Sequence, residues 1–335
     1  MGEGRLFFGY ETAFWIWRKV GPHAFLALTP SRVRSLADGA PSKERIDAFR
    51  REHPDLSTEI IDVVVRYGDQ RILPGVKVHV KSGELPDRSF YELEDGVYVA
   101  SPELCMLQLA SKLVPAESVK LAMEMCGSYA LDLLYDDPGF CKRPQLTNPK
   151  KLEAFAARLY KPGSRARGVQ FLRWVAAGSA SPRETALCML LCMPPRFGGY
   201  GLALPELNRR IDLSFAEQLA VGAHHYDCDL YWPNARVAVE YDSAQYHTAL
   251  EKQERDAVRR NMLQHKGVEV VVATRLQVNR SGEFDKLARQ VARAVGKRLR
   301  IPEKEHVEAR KRLRETLFDW DVVTPCWGGE GEGLE

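Results

Sequence analysis

No apolar run in this 335-residue chain approaches the roughly 18 to 20 residues that a bilayer-spanning helix needs. A membrane span is therefore not expected. The opening stretch MGEGRLFFGYETAFWIWRKV has early acidic residues and no small-residue cleavage site after an apolar core. It does not read as a signal peptide. Leu6 stands where a myristoylation signal wants Ser or Thr, so N-myristoylation is not expected either. The chain reads as cytoplasmic. It also lacks an ordered cysteine pattern. Its seven cysteines are an odd number and scattered, which argues against a disulfide framework. Cys188 and Cys192 lie four apart on one predicted helix, but no further Cys or His stands at zinc-binding spacing. They read as buried structural thiols. No repeat of solenoid period is present.

Hydrophobic residues make up 45% of the chain, enough for packed cores, and the length predicts two or three domains. The net charge of +3 is unevenly spread. Residues 251–300 hold 13 Lys and Arg against 6 Asp and Glu, a local +7, so the other 285 residues carry −4. A basic segment in a near-neutral chain suits an acidic partner such as nucleic acid, or equally a solvated helix face. No stacking-aromatic pattern points to RNA.

Residues 1–55 read as helical. Strands are expected near 59–68, 75–83 and 89–101, from β-branched runs bounded by Gly or Pro. Ser101 and Pro102 open a helix, as cap and first position, and another is expected from Pro115. Turn-rich sequence follows, then helices at about 148–160 and 164–177. Ser181 and Pro182 repeat the helix start, and PPRFGGYGLALPELN reads as a loop. These signals predict an α+β domain over 1–135, a helical linker over 136–179, an α/β domain over 180–301, and a C-terminal helix with a flexible tail over 302–335.

The densest chemistry lies in YDCDLYWPNARVAVEYDSAQYH, residues 226–247. Alternation puts Tyr226, Cys228, Leu230 and Trp232 on one face of a strand and Asp227, Asp229 and Tyr231 on the other. In the next strand Val237, Val239 and Tyr241 oppose Ala238, Glu240 and Asp242. Any even-numbered loop brings the two acidic faces together. Four loop residues set Asp229 opposite Glu240, and two set Asp227 there. Three would send the acids to opposite faces. Two like charges about 4 Å apart repel by on the order of 4 kcal/mol at an effective dielectric near 20. Such crowding is relieved by a divalent cation or a retained proton, and oxygen ligands suit Mg²⁺ or Mn²⁺ rather than zinc. The alternative is a solvated outer face. His247 follows five residues after Asp242, where it could orient water, contact phosphate or act as a base. Asp256, Arg259 and Leu263 share a face of the next predicted helix, which Gly267 stops. Arg259 there either grips a phosphate or pairs with Asp256. A strand over VEVVVAT and an amphipathic helix close the domain.

Residues 180–300 resemble the very-short-patch-repair-like endonuclease domains of the PD-(D/E)XK superfamily. The resemblance rests on Asp229, on Glu240-Tyr241-Asp242, on His247, and on the run Asp256, Arg259, Leu263, Gly267. It also includes the domain-opening helix with Ser181, Pro182, Glu184 and Thr185. The resemblance implies a mixed restriction-endonuclease-like sheet flanked by helices and metal-assisted cleavage of DNA. Asp229, Glu240 and Asp242 would be the Mg²⁺ or Mn²⁺ ligands, with the Tyr241 carbonyl as an added oxygen. Asp242 or His247 would position water. Arg259, Arg260 and Lys266 would contact phosphates, and Glu184 and Asp256 would support the site. Asp242 stands where the superfamily places a catalytic lysine, and Ser243 where a glycine is usual. In the first half, residues 76–113 are similar to the C-terminal part of AbiEi-type antitoxins, repressors of bacterial toxin–antitoxin pairs. That likeness implies contact with DNA or a protein partner in a bacterium, while the endonuclease reading carries a role in phage or mobile-element defence. The winged helix usual in those proteins is not evident in residues 1–55. The alternative for the whole chain is a non-catalytic DNA-binding regulator with an inactive nuclease fold.

Overall fold

The computed structural model describes residues 4–20, 28–33, 35–132, 139–161, 168–242, 250–299 and 303–318. It is a mixed α/β protein whose chain divides into two compact units. The described residues of 1–125 and 130–173 make the first, and those of 126–129 and 174–319 the second. The stretch read as a linker, 136–179, thus divides at Arg173 and Trp174.

In the first unit the elements are β1 (Leu6–Phe8), α1 (Tyr10–Lys19), β2 (Thr29–Pro30), α2 (Lys43–Glu52), β3 (Ile61–Val65), β4 (Val76–Val80), β5 (Phe90–Glu94) and β6 (Val97–Ala100). Helices α3 (Pro102–Ala110) and α4 (Pro115–Met125), the strand pair β7 (Tyr129–Asp132) and β8 (Gly139–Lys142), and α5 (Pro149–Leu159) follow. Six strands form one mixed sheet in the order β2-β5-β6-β1-β3-β4. β1 corrects the helical reading of residues 1–55. Leu6, Phe7 and Phe8 are fully buried, and β1 pairs parallel to β6 and antiparallel to β3. A three-residue strand inside a sheet draws its stability from both neighbours, which a local pattern does not reveal. The single strand expected over 89–101 is a hairpin, β5 and β6, turned at Gly96 with φ +70°. That left-handed turn suits glycine. Ser101 caps α3 as expected, its hydroxyl accepting from the Leu104 N–H at 3.2 Å.

The second unit contains α6 (Pro182–Cys192), β9 (Glu206–Asp212), α7 (Phe215–Val221), β10 (His225–Trp232), β11 (Val237–Asp242), α8 (Leu250–His265), β12 (Glu269–Thr274), α9 (Arg275–Asn279), α10 (Ser281–Ala294) and α11 (Glu303–Phe318). Its sheet runs β12-β11-β10-β9, with β11 and β12 parallel and the other neighbours antiparallel. β9 corrects the end of the stretch read as a loop, from Glu206 on, because its polar sequence ELNRRID has no apolar alternation to mark a strand. It is an edge strand, where polar residues face water. In place of the expected helix over 164–177, a short 3₁₀ turn covers Gln170–Trp174, and residues 162–167 lie outside the described set. Residues 319–335, which include the GGEGEGLE stretch read as a flexible tail, lie outside it too. Leu230, Trp232, Val237 and Val239 are buried, as are Leu187, Leu190 and Leu191 of α6. Tyr231 and Ala238, which alternation sends to the other face, cluster with Leu263 of α8. No helix among the described residues is long and apolar enough to cross a membrane.

Candidate functional site

The hairpin loop decides which acids meet. Trp232 pairs with Val237, Tyr231 with Ala238 and Leu230 with Val239, so the loop holds the four residues from Pro233 to Arg236. One step beyond the last pair, Asp229 comes opposite Glu240. The strands part there, and Asp229 fills the opening: its Oδ2 accepts the Tyr241 backbone N–H at 2.7 Å.

The alternation expected for β10 breaks at this point. Cys228 and Tyr231 are three residues apart, yet both pack with Ala238, Leu263 and Val268. In a regular strand such residues face opposite ways. Pairing of β10 with β9 is also interrupted here. It runs from His225 to Cys228 and resumes at Leu230, leaving out Asp229 and the residue across from it, Asn208. Asn208 has φ +48°, a left-handed conformation that asparagine tolerates better than most residues. Its amide donates to the Gly178 carbonyl at 2.9 Å and to Glu184 Oε2 at 2.6 Å.

Glu184 thereby joins the acids. It is a buried residue near the start of α6. Oε2 also accepts the Ala180 N–H at 2.8 Å, and Oε1 accepts the Ser181 hydroxyl at 2.8 Å. Burial pushes its carboxyl above the usual range. The Ala180 and Asn208 donors oppose that push, and the charge of Asp229 adds to it. Asp229 is raised by burial as well, against the pull of the Tyr241 N–H and Arg259. Glu240 is displaced furthest. Burial and then the Asp229 charge push it up to about 7, although Arg259 draws the other way.

Arg259 of α8 brings positive charge to this cluster. Its Nη2 donates to Glu240 Oε2 at 2.7 Å and to the Asp227 carbonyl, with the guanidinium 5.9 Å from the Tyr226 ring centroid. Glu240 Oε1 is buried and has no N–H or O–H donor among the described residues. A buried carboxylate with a thiol, a weak donor, as its further hydrogen-bonding neighbour is costly to keep charged. The Cys228 thiol lies alongside, pushed up to about 12 by burial and the Glu240 charge.

No protein-family model, curated protein or solved structure matches the chain.

The remaining residues singled out in the sequence are dispersed. Asp242 is exposed at the end of β11, opposite Thr274. Arg260 is exposed on α8. Lys266 forms a 3.0 Å ion pair with Glu217, which is held down to about 2 by the Ser214 N–H and by Lys266. His247 and the side chain of Asp256 lie outside the described residues. Among the described residues, a single trio of His, Cys, Asp or Glu has all its ligand atoms within 4.8 Å of one another: Glu52, His53 and Glu94, in the first unit. Asp229, Glu240 and Asp242 do not form such a trio. Asn208 and Cys228 escaped the sequence reading. A polar edge strand and one apolar-face cysteine carry no local signal of what they meet. The one usable clue is that Asn is a residue that accepts positive φ.

Proposed function

We infer that the second unit is a PD-(D/E)XK-type, metal-dependent endonuclease that hydrolyses DNA phosphodiester bonds. One observation carries this reading: Asp229 and Glu240 stand opposite each other at a break in the sheet, both raised by burial. A four-stranded mixed sheet with helices α6 and α8 packed on it supports the restriction-endonuclease-like fold.

The residues fit a hard divalent cation. Glu240 Oε1 is a buried carboxylate oxygen without an N–H or O–H donor among the described residues, and a second carboxylate faces it. Asp229 and Glu240 would hold Mg²⁺ or Mn²⁺, which would lower the pKa of water and offset charge on the phosphate. Asp242, exposed at the strand end, has room to orient a water molecule, a task His247 would share. Arg260, exposed on α8, would approach a phosphate from solvent, and Lys266 would have to leave Glu217 to do so. Arg259 restrains Glu240 through its ion pair. Glu184 and Asn208 brace the strand break through their hydrogen bond.

Supercoiled plasmid incubated with Mg²⁺ or Mn²⁺ should be nicked by the unaltered protein and not by Glu240→Ala. Equal nicking by both would reject the reading. Calorimetric titration with Mn²⁺ should show binding that Asp229→Ala abolishes.

A second reading draws on Arg259. Its guanidinium already supplies Glu240 with positive charge, an arrangement suited to a nuclease fold retained as a non-catalytic DNA-binding regulator. That reading expects DNA binding that a chelator leaves unchanged. On either reading the first unit is the candidate for contacts with DNA or a protein partner, in phage or mobile-element defence.

A further inference from the structure

The first unit contains a side-chain relay that the nuclease reading does not use. Asp62 of β3 is buried, with 2% of its side chain exposed, and its Oδ1 lies 2.5 Å from His79 Nε2 on the neighbouring strand β4. The other ring nitrogen, Nδ1, lies 3.1 Å from Lys112 Nζ, in the turn after α3. An ammonium has only protons to offer, so Nδ1 is the acceptor and Nε2 carries the hydrogen donated to Asp62. The order carboxylate, imidazole, amine is thus fixed by donor and acceptor chemistry.

The surroundings hold this relay in place. Thr12 Oγ1 accepts the Asp62 backbone N–H at 2.7 Å and lies 3.5 Å from Asp62 Oδ2. Tyr10 stacks on the His79 ring, with centroids 3.8 Å apart and planes 23° apart, and Lys112 Nζ sits 4.0 Å over the Tyr10 ring. Tyr10 has φ +49°, a conformation bulky residues avoid. It is held there by its N–H bond to Gln108 Oε1 at 3.1 Å and by the Cys105 thiol on its carbonyl at 3.4 Å. A left-handed tyrosine kept in place from both sides marks a site where geometry is imposed by the surroundings. His79 is shielded, with 9% of its side chain exposed, while Lys112 is exposed at the surface.

We propose that Lys112 is a base-activated amine that forms an imine with an anionic aldehyde, using His79 as proton acceptor and Asp62 to fix and compensate the imidazole. The relay is that of an activated nucleophile: reacting group, base, and a third group orienting the base. The Lys112 ammonium first gives a proton to His79 Nδ1, which frees the nitrogen lone pair, and the resulting imidazolium lies against the Asp62 carboxylate. As Nζ bonds to the carbonyl carbon, the carbonyl π pair moves to oxygen, which takes a second proton from Nζ to become a hydroxyl. The imidazolium returns its proton to that hydroxyl, which leaves as water, giving the protonated C=N bond and restoring neutral His79. No oxidant or reductant takes part. The groups acting on Lys112 are Tyr10 and Glu11 from α1, Asp62 from β3, and Lys77 and His79 from β4. Desolvation and then the Lys77 charge lower the Lys112 pKa, while Asp62 and Glu11 oppose them. The paired cations Lys77 and Lys112 favour a carbonyl compound that carries negative charge.

Glyoxylate is the probe, with cyanoborohydride to trap the imine and peptide mass spectrometry on the full chain to count adducts at each lysine. At neutral pH Lys112 should be labelled ahead of the exposed Lys43 and Lys311. His79→Gln should slow labelling at Lys112 by roughly tenfold or more, with Lys43 unchanged as internal standard. Labelling of Lys112 no faster than Lys43 in the unaltered protein would overturn the proposal without any variant. So would an unchanged Lys112 rate in a folded His79→Gln protein. In that case the relay serves only to neutralise buried Asp62.

Discussion

Glu124 and Glu240 are both largely removed from water, and each is held by one arginine, yet their carboxyls move in opposite directions. In the first unit Arg18 grips Glu124 with two parallel bonds, Nε to Oε1 and Nη2 to Oε2, both 2.8 Å. The Leu131 N–H also donates to Oε1 at 3.2 Å. Burial alone would raise Glu124, but the Arg18 charge and bonds, the Arg143 charge and the Leu131 N–H together hold it below the ordinary value. In the second unit Arg259 reaches only Oε2 of Glu240, Asp229 stands opposite, and Oε1 has no N–H or O–H donor among the described residues. Burial and the neighbouring acid win, and Glu240 rises to about 7. Glu124 is a completed ion pair. Glu240 keeps one buried oxygen without an N–H or O–H donor among the described residues, which is the physical basis for proposing it as a binding group.

The sharpest way to break this contrast is to remove an arginine. Arg18→Met strands the Glu124 carboxylate, whose side chain is 1% exposed, and should destabilise the fold by about 3–5 kcal/mol in chemical denaturation. A loss well below that range would mean that Arg143 and Leu131 suffice and that Glu124 is less dependent on its arginine than the geometry implies.

The two glutamates should also give opposite pH slopes. Glu240 has a folded pKa near 7 against an ordinary 4.5, so the folded state holds the extra proton between those values. Its stabilising contribution is complete below about 4.5 and is lost as pH rises to about 7. Glu124 behaves in reverse: its contribution is present above the ordinary value and is lost as pH falls through its depressed folded pKa. Melting temperatures measured from pH 4.5 to 8 should therefore show a decline that Glu240→Gln flattens. A decline of unchanged slope in that variant would remove the basis for the contrast.

A smaller effect tests the third acid. Ser181→Ala removes the α6 cap on the Glu184 N–H at 3.2 Å and a donor to Glu184 Oε1. It should cost about 1 kcal/mol by thermal or chemical unfolding and raise the Glu184 carboxyl further.

Much of the second unit was legible in the order of its residues. Ser181 before Pro182 specified the start of α6, as Ser101 before Pro102 specified α3. The spacing of acids in residues 226–242 restricted the hairpin to a few registers, one of which opposes Asp229 and Glu240. Caps and strand alternation act over two to four residues, so a linear reading reaches them.

Other features depend on partners far along the chain. Only the folded hairpin chose the four-residue loop, and only the packing of α8 brought Arg259 onto Glu240, 19 residues away. Strand β1 gains its identity from β6 and β3, and the kink at Asp229 becomes visible through Asn208 on a strand with no apolar pattern. His79 meets Asp62 across 17 residues and Lys112 across 33. Composition and spacing set which groups were available for chemistry. Which of them face each other, and at what charge, was decided by chain closure and burial, because both depend on contacts that no local stretch of sequence contains.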